Sequence, residues 1–197
     1  MAEESMINHW VYAPGHGAKF WNEFSELGIM GIGWDKLGDL SKYNSREEIA
    51  QKLKEFYNDG EEKIHDSLAC YNFANDIKIG DFIIPKKGRR IYLGYGIVES
   101  DYFYDANRVE YKNVRKVKWV KKGEWNSNDL IVPKTLTKIT QNDANQIKEL
   151  IGISSFQEKE REKLPASKNL ILYGPPGTGK TFSTKKFALS MMGELNE

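Results

Sequence analysis

Asp81-Phe82-Ile83-Ile84-Pro85, then Lys86-Lys87-Gly88-Arg89-Arg90, then Ile91-Tyr92-Leu93-Gly94-Tyr95-Gly96-Ile97-Val98-Glu99-Ser100 is the stretch whose reading decides the fold class. Two runs rich in β-branched and aromatic residues flank five residues with glycine at their centre, a pattern of strand, turn and strand. Asn113 to Lys121 continues it as a further strand. Upstream the period alternates. His9 to Ala13 reads as a strand, and Lys19 to Leu27 as a helix with Phe20, Phe24 and Leu27 on one face, closed by Gly28. Ile29 to Trp34 follows at once as a second strand. Ser45-Arg46-Glu47-Glu48 is a capping box that opens a helix carrying Ile49, Leu53, Phe56 and Tyr57, ended by Gly60. A helix from Glu62 to Asn75 packs Ile64, Leu68 and Tyr71, and a last one runs from Asp143 to Leu150 and ends at Gly152. Strands and helices in this mixed order give an α+β fold: a mainly antiparallel, curved sheet or small barrel with flanking helices.

The chain has 197 residues and a formal net charge of +1, so any charge-driven partner must be sought in how the charge is distributed. The lone Cys70 excludes an intramolecular disulfide, and the apolar spacing around it favours a buried structural thiol. The acidic N-terminus lacks the features of a signal peptide, and no apolar run is long enough to span a bilayer, so a cytoplasmic, soluble chain with no membrane partner is expected. His9, His16 and His65 stand apart, with no cysteine or acidic companions at metal-ligand spacing. No nucleophile–base pair or paired carboxylates emerge either, so no catalytic residue is assigned.

Near the C-terminus, Gly174-Pro175-Pro176-Gly177-Thr178-Gly179-Lys180-Thr181 is a complete phosphate-loop motif. Its flanks have the required order: Asn169 to Tyr173 as a buried strand, Thr181 to Met192 as a helix, and Gly193 as its cap. Backbone N–H groups of the loop point at phosphates, Lys180 reaches the β/γ-phosphates and Thr181 ligates Mg²⁺, so GTP or ATP with Mg²⁺ is the implied cofactor. The alternative is a Gly/Pro-rich turn that matches by chance. A nucleotide domain needs roughly 100–200 residues, so the chain is expected to be the N-terminal piece of a longer NTPase and inactive by itself. The run Glu158-Lys159-Glu160-Arg161-Glu162-Lys163 cannot bury a core. The expected organisation is a domain over residues 1–152, a charged linker over 153–168, and the opening strand, loop and helix of a nucleotide domain over 169–197.

Charge and aromatics gather in the first domain. Lys112, Arg115, Lys116, Lys118, Lys121 and Lys122 stand together without an acidic residue, and Lys86, Lys87, Arg89 and Arg90 crowd one turn. Lys86, Lys87, Arg89, Arg90, Arg115, Lys116, Lys118 and Lys121 are the candidate contacts to a nucleic-acid backbone. A solvated edge strand guarded by lysines is the other reading. Of the aromatic residues, Phe20, Phe24, Phe56, Tyr57, Phe82 and Tyr92 have core spacing. Trp34 differs: Gly31 and Gly33 leave one face of its strand bare, inviting close approach of a ligand or backbone, and Asp35 follows to accept from an exocyclic amine. Trp34, Asp35, Tyr12, Tyr102, Phe103 and Tyr104 are the candidate pocket for a flat base extruded from its stack. The alternative is that Trp34 plugs the end of the sheet.

Tyr12-Ala13-Pro14-Gly15, Phe20-Trp21-Asn22-Glu23-Phe24, Gly31-Ile32-Gly33-Trp34-Asp35, Gly38-Asp39-Leu40-Ser41-Lys42-Tyr43 and Ile79-Gly80-Asp81-Phe82-Ile83 together resemble the EVE-like domains of the PUA and YTH superfamily. Asn169 to Leu189 resembles the opening of the AAA+ domain of McrB-type restriction motors. The resemblance implies the specificity region of a McrB-like subunit, cut just after its phosphate loop. Such a subunit recognises a modified, methylated base in DNA, and its motor forms a ring, uses GTP and recruits a nuclease subunit. It also implies an aromatic cage with Trp34 as one wall, and a reader domain that needs no cofactor. Two other readings stay open: an RNA-binding PUA-like reader, and an NTP-binding protein whose first domain binds a protein partner.

Overall fold

The computed structural model describes residues 7–57 and 63–153. The expected linker and phosphate-loop segment, Gly174 to Thr181 included, lie outside the described residues, as does Gly60. The elements in chain order are β1 (His9–Tyr12), α1 (Trp21–Leu27), β2 (Ile29–Ile32), α2 (Arg46–Phe56), α3 (Ile64–Asn75), β3 (Phe82–Lys87), β4 (Ile91–Val98), β5 (Phe103–Tyr104), β6 (Asn113–Asn126), β7 (Leu136–Ile139) and α4 (Gln141–Ile151). The strands join in the order β2-β6-β4-β3-β1-β7, with β5 added to β6, and the sheet curls strongly. Every pairing is antiparallel except β1 with β3. Those two are parallel because the three helices between them form the crossover that a parallel pair needs. The α+β expectation with a curved, mainly antiparallel sheet describes this domain.

The curl has identifiable causes. Registers shift within β3/β4 and twice within β4/β6, and such bulges bend strands. Gly94 sits at one of them with φ 152°, where an added Cβ would lie 2.2 Å from the Lys121 carbonyl oxygen. Where β1 and β2 approach without pairing, the Tyr12 hydroxyl bridges them: it donates to the Gly31 carbonyl (2.5 Å) and accepts from the Gly31 N–H (3.1 Å). This phenol is fully buried, and burial pushes its pKa far up.

Inside the curl, Met30, Ile32, Leu40, Ile49, Leu53, Cys70, Phe73 and Ile83 form one buried cluster with Trp10, Tyr12 and Phe24. Two ionic side chains organise its rim. Asp81 accepts from the Trp10 indole (2.9 Å) and from the backbone N–H groups of Asn8 (2.9 Å) and Lys78 (3.0 Å). Arg115 donates to the carbonyls of Phe73 (2.8 Å) and Ala74 (2.9 Å), which the C-terminus of α3 leaves open, and to that of Ser100 (3.1 Å) after β4. Cys70 is buried, which pushes its thiol pKa up, as expected of a structural cysteine.

Several boundaries depart from expectation. The α1 helix starts at Trp21, because His16–Ala18 forms a separate 3-10 turn with Gly17 at φ 60°. The β2 strand stops at Ile32 instead of running to Trp34. Lys86 and Lys87 belong to β3, leaving only Gly88–Arg90 as the turn. The β6 strand runs on past Lys121 to Asn126, and β5 and β7 are additional. At α2 the Ser45 half of the capping box forms, Ser45 Oγ accepting from the Glu48 N–H (3.2 Å), while Glu48 reaches one residue further back and accepts from the N–H of Asn44 (2.9 Å).

Candidate nucleic-acid interface

Past Ile32 the chain leaves the sheet through Gly33 and then Trp34, which adopts φ 64°, ψ 44°. A bulky side chain in this left-handed region costs on the order of 1–3 kcal/mol and persists only where its surroundings hold it. The holding contacts are visible. The Trp34 carbonyl accepts from the Leu37 N–H (2.9 Å), and the carboxylate of Asp35 accepts from the N–H groups of Tyr111 and Lys112, both at 2.9 Å. Tyr111 is itself left-handed at φ 55°, and among the described non-glycine residues Ala18 alone shares a positive φ with this pair. One carboxylate therefore staples two strained segments together. Both aromatic rings are half-buried, packed on the core with part of their surface open.

The Tyr111 ring lies against Phe20 (centroids 4.2 Å apart) and Phe24 (5.9 Å). It also explains the two glycines of β2 and its exit. A Cβ on Gly31 would meet Phe24 Cζ at 3.0 Å and Tyr111 Cβ at 3.3 Å, and one on Gly33 would meet the Tyr111 ring at 3.5 Å. The close approach expected at these glycines is made by the protein's own aromatics. The Tyr111 hydroxyl reaches the turn at Gly15, 3.1 Å from where a Cβ would stand there. The ends of β1 and β2 and the loop before β6 thus meet at one edge. Tyr111 was absent from the sequence-based site because it precedes its strand, among Arg108, Glu110 and Lys112, with no periodicity to mark it.

The other expected pocket residues are placed differently. Tyr12 is fully buried and spent on Gly31, so it lines no open site. Asp35 engages backbone with both oxygens and is a clamp rather than a reader of an exocyclic amine. The Tyr102 hydroxyl accepts from the Leu40 N–H (2.8 Å) and faces Asp39 Oδ1 (2.9 Å) and Asn113 Oδ1 (2.6 Å) as donor. It ties the segment after Trp34 to β6, and burial pushes its pKa up. Phe103 and Tyr104 form β5, opposite Val114 and Asn113 of β6, whose other edge pairs with Gly31 and Ile32. Two strand spacings, about 10 Å, separate them from β2.

The basic residues divide too. Arg115 and Lys86 are only 2% and 3% exposed. Arg115 caps α3, burial lowering its pKa to about 10, and the Lys86 ammonium donates to the Val132 carbonyl, its pKa lowered by burial and by Arg89. Neither presents its charge to a phosphate, which corrects both assignments. Lys87 pairs with Glu124 (3.2 Å), Arg89 and Arg90 are exposed at the turn, and Lys121 lies over the Trp125 ring. Lys116 and Lys118 are exposed at the opposite end of β6. Since Ile91 pairs with Asn126 and Ile97 with Lys118, the Lys87–Arg90 turn is roughly 25 Å along the strand from Lys118 and does not merge with it into one patch, while Lys121 lies between them, about 10 Å from Lys118.

Among the described residues there is no cluster of three metal-ligating side chains, and no helix is long and apolar enough to cross a membrane.

Solved structures similar to this chain include the YTH domain of the Zygosaccharomyces rouxii MRB1 protein in complex with N6-methyladenosine RNA, at 11% identity and a TM-score of 0.45, covering 75% of this chain and 88% of that one. The YTH domain of Mmi1 matches at 10% identity and a TM-score of 0.43, with 74% and 88% covered. Protein Atu2648 from Agrobacterium tumefaciens matches at 11% identity and 0.39, with 76% and 96% covered. No curated protein matches the sequence. Residues 10–143 match the family described as Domain of unknown function (DUF8426). That stretch contains all of the sheet except His9, the first residue of β1, together with the Trp34–Tyr111 edge, and by it the chain belongs to the DUF8426 family.

Proposed function

We propose that this domain reads a modified, methylated base in DNA, the base leaving its stack to lie on Trp34. The observation that carries the reading is the Asp35 staple, which holds Trp34 and Tyr111 in left-handed conformations with their rings half-open. A tryptophan that merely plugs a sheet needs no such backbone. Trp10 serves as the contrast: it sits within β1, 1% exposed, its indole bonded to Asp81. An aromatic face of this kind is worth about 1–3 kcal/mol to a stacked base. The sequence resemblance to EVE-like domains points the same way.

On this proposal Gly174 to Thr181 hold the phosphates of GTP or ATP, with Lys180 on the β/γ-phosphates and Thr181 on Mg²⁺, as part of a cytoplasmic, ring-forming McrB-like motor that recruits a nuclease. Nucleotide binding that Lys180→Ala abolishes is the expected result for this segment, and binding unchanged in that variant would overturn that part. The reader function is tested by binding the chain to duplexes, and to matched RNAs, that differ in one modified base. A preference for one modified duplex that Trp34→Ala removes is the expected result. A preference for modified RNA would make the chain an RNA reader, and no preference in either series would end the proposal.

A further inference from the structure

Between the C-terminal end of α1 and β6 lies a depression of about 430 Å³, lined by Glu26, Glu99, Lys116, Lys118, Trp119 and Lys122, with Ile29 of β2 at its edge. The pleat explains why lysines collect there. Arg115 and Val117 are buried, so Lys116 and Lys118 alternate to the exposed face. Elsewhere, Lys19, Lys52 and Lys87 are neutralised by Glu110, Glu55 and Glu124. Lys116, Lys118 and Lys122 have no such ion pair among the described residues. The aromatic part is fixed: the Trp119 indole donates to the carbonyls of Phe24 (3.1 Å) and Ile29 (3.2 Å), and Trp21 meets it edge-on at 4.9 Å. Three free cations beside an immobilised aromatic pair suit a polyanion with flat bases.

Trp34 stands five positions beyond Ile29, at most about 16 Å along an extended chain. Phosphates of one DNA strand are spaced about 3.4 Å along the axis, so that distance spans at most about five nucleotides. The geometry points to this depression as a seat for the phosphodiester backbone within about five nucleotides of the base on Trp34. The inference rests on the reader function above and adds where, and with which lysines, the strand is held. Glu26 and Glu99 in the same depression oppose the phosphates, which makes the hold weak and salt-sensitive.

The test is fluorescence anisotropy of the full chain with an unmodified duplex of about 16 base pairs between about 50 and 200 mM salt. The triple variant Lys116→Gln, Lys118→Gln, Lys122→Gln should lose about tenfold in affinity at low salt and flatten the plot of log affinity against log salt by about 3. Glu26→Gln with Glu99→Gln should tighten binding. Lys42→Gln with Lys54→Gln, two exposed lysines elsewhere, should leave the slope unchanged. An unaltered slope in the triple variant, an equal loss in the Lys42/Lys54 control, or equally good competition by poly-glutamate would overturn the inference. The ratio of modified to unmodified binding is scored separately and should survive in the triple variant. A ratio of one in the wild type, with the triple variant still weakened, sinks the base-reading function and leaves the phosphate seat supported.

Discussion

Trp34 and Trp10 are the same residue type in two physical roles, and truncation separates them. Trp10→Ala removes a buried ring and leaves Asp81 short of a donor, so a loss of about 3–5 kcal/mol in folding stability is expected, read by denaturant melts. Trp34→Ala removes a half-exposed ring at a strained position. Its melt should shift far less, while affinity for modified DNA falls by about 1–3 kcal/mol and affinity for the unmodified duplex stays near its starting value. A large stability loss with unchanged discrimination would make Trp34 a plug. Asp35 gives an independent check, because on this account it positions the ring without touching the base. Asp35→Ala leaves two backbone N–H groups unpartnered and releases Tyr111, so discrimination should fall even though the Trp34 ring remains.

At the level of elements, the weakest join in the curl is the one that no ladder makes. Gly31 offers β1 its N–H and carbonyl, and the Tyr12 hydroxyl alone answers both. Tyr12→Phe keeps the ring and removes the bridge, so a loss of about 1–3 kcal/mol is expected in equilibrium unfolding. A variant as stable as the parent would mean that β1 and β2 are held by packing alone. Much of the element order was legible: α2 announced itself by Ser45 and Glu48, and α1 ended where Gly28 takes φ 65°. What escaped was set by tertiary context. Lys86 read as part of an exposed turn because a lysine in a buried strand is rare; here the Val132 carbonyl receives its ammonium. Arg115 read as a surface cation for the same reason, although α3's open carbonyls, far off in sequence, are what it serves. The candidate site was half legible. Trp34 stood out beside two glycines, but Tyr111 is brought to it by a carboxylate staple that no local pattern encodes.

For the whole domain, β1 through β7 and α1 through α3 all fall between His9 and Ile139. A chain ending at Ile153 should therefore keep one cooperative melt and its nucleic-acid binding; loss of both would show that the remaining residues are needed to complete the fold. The pH dependence of stability probes the same core. Burial raises the Cys70 pKa, with Asp66 adding to the shift, so the folded state keeps the thiol protonated where the unfolded chain loses it. A group with a raised folded pKa gives its full stabilisation below its unfolded value, about 8.5 for a thiol, and loses it as pH climbs beyond that. Above a pH of about 8.5 the unfolded state binds fewer protons at this site, so stability falls by up to about 1.4 kcal/mol per pH unit from Cys70 alone. Tyr12, with its pKa raised by burial, and Lys86, with its pKa lowered by burial, also make stability pH-dependent, and comparison with Cys70→Ala cancels both. The gap between wild type and variant should be constant from about pH 6 to 8 and shrink, or reverse, between about pH 9 and 10, because the alanine side chain has no proton to lose. A gap that is the same at about pH 7 and pH 10 would mean that solvent reaches the thiol in the folded domain, and that α3 does not seal the core as the packing of Cys70 and Phe73 requires.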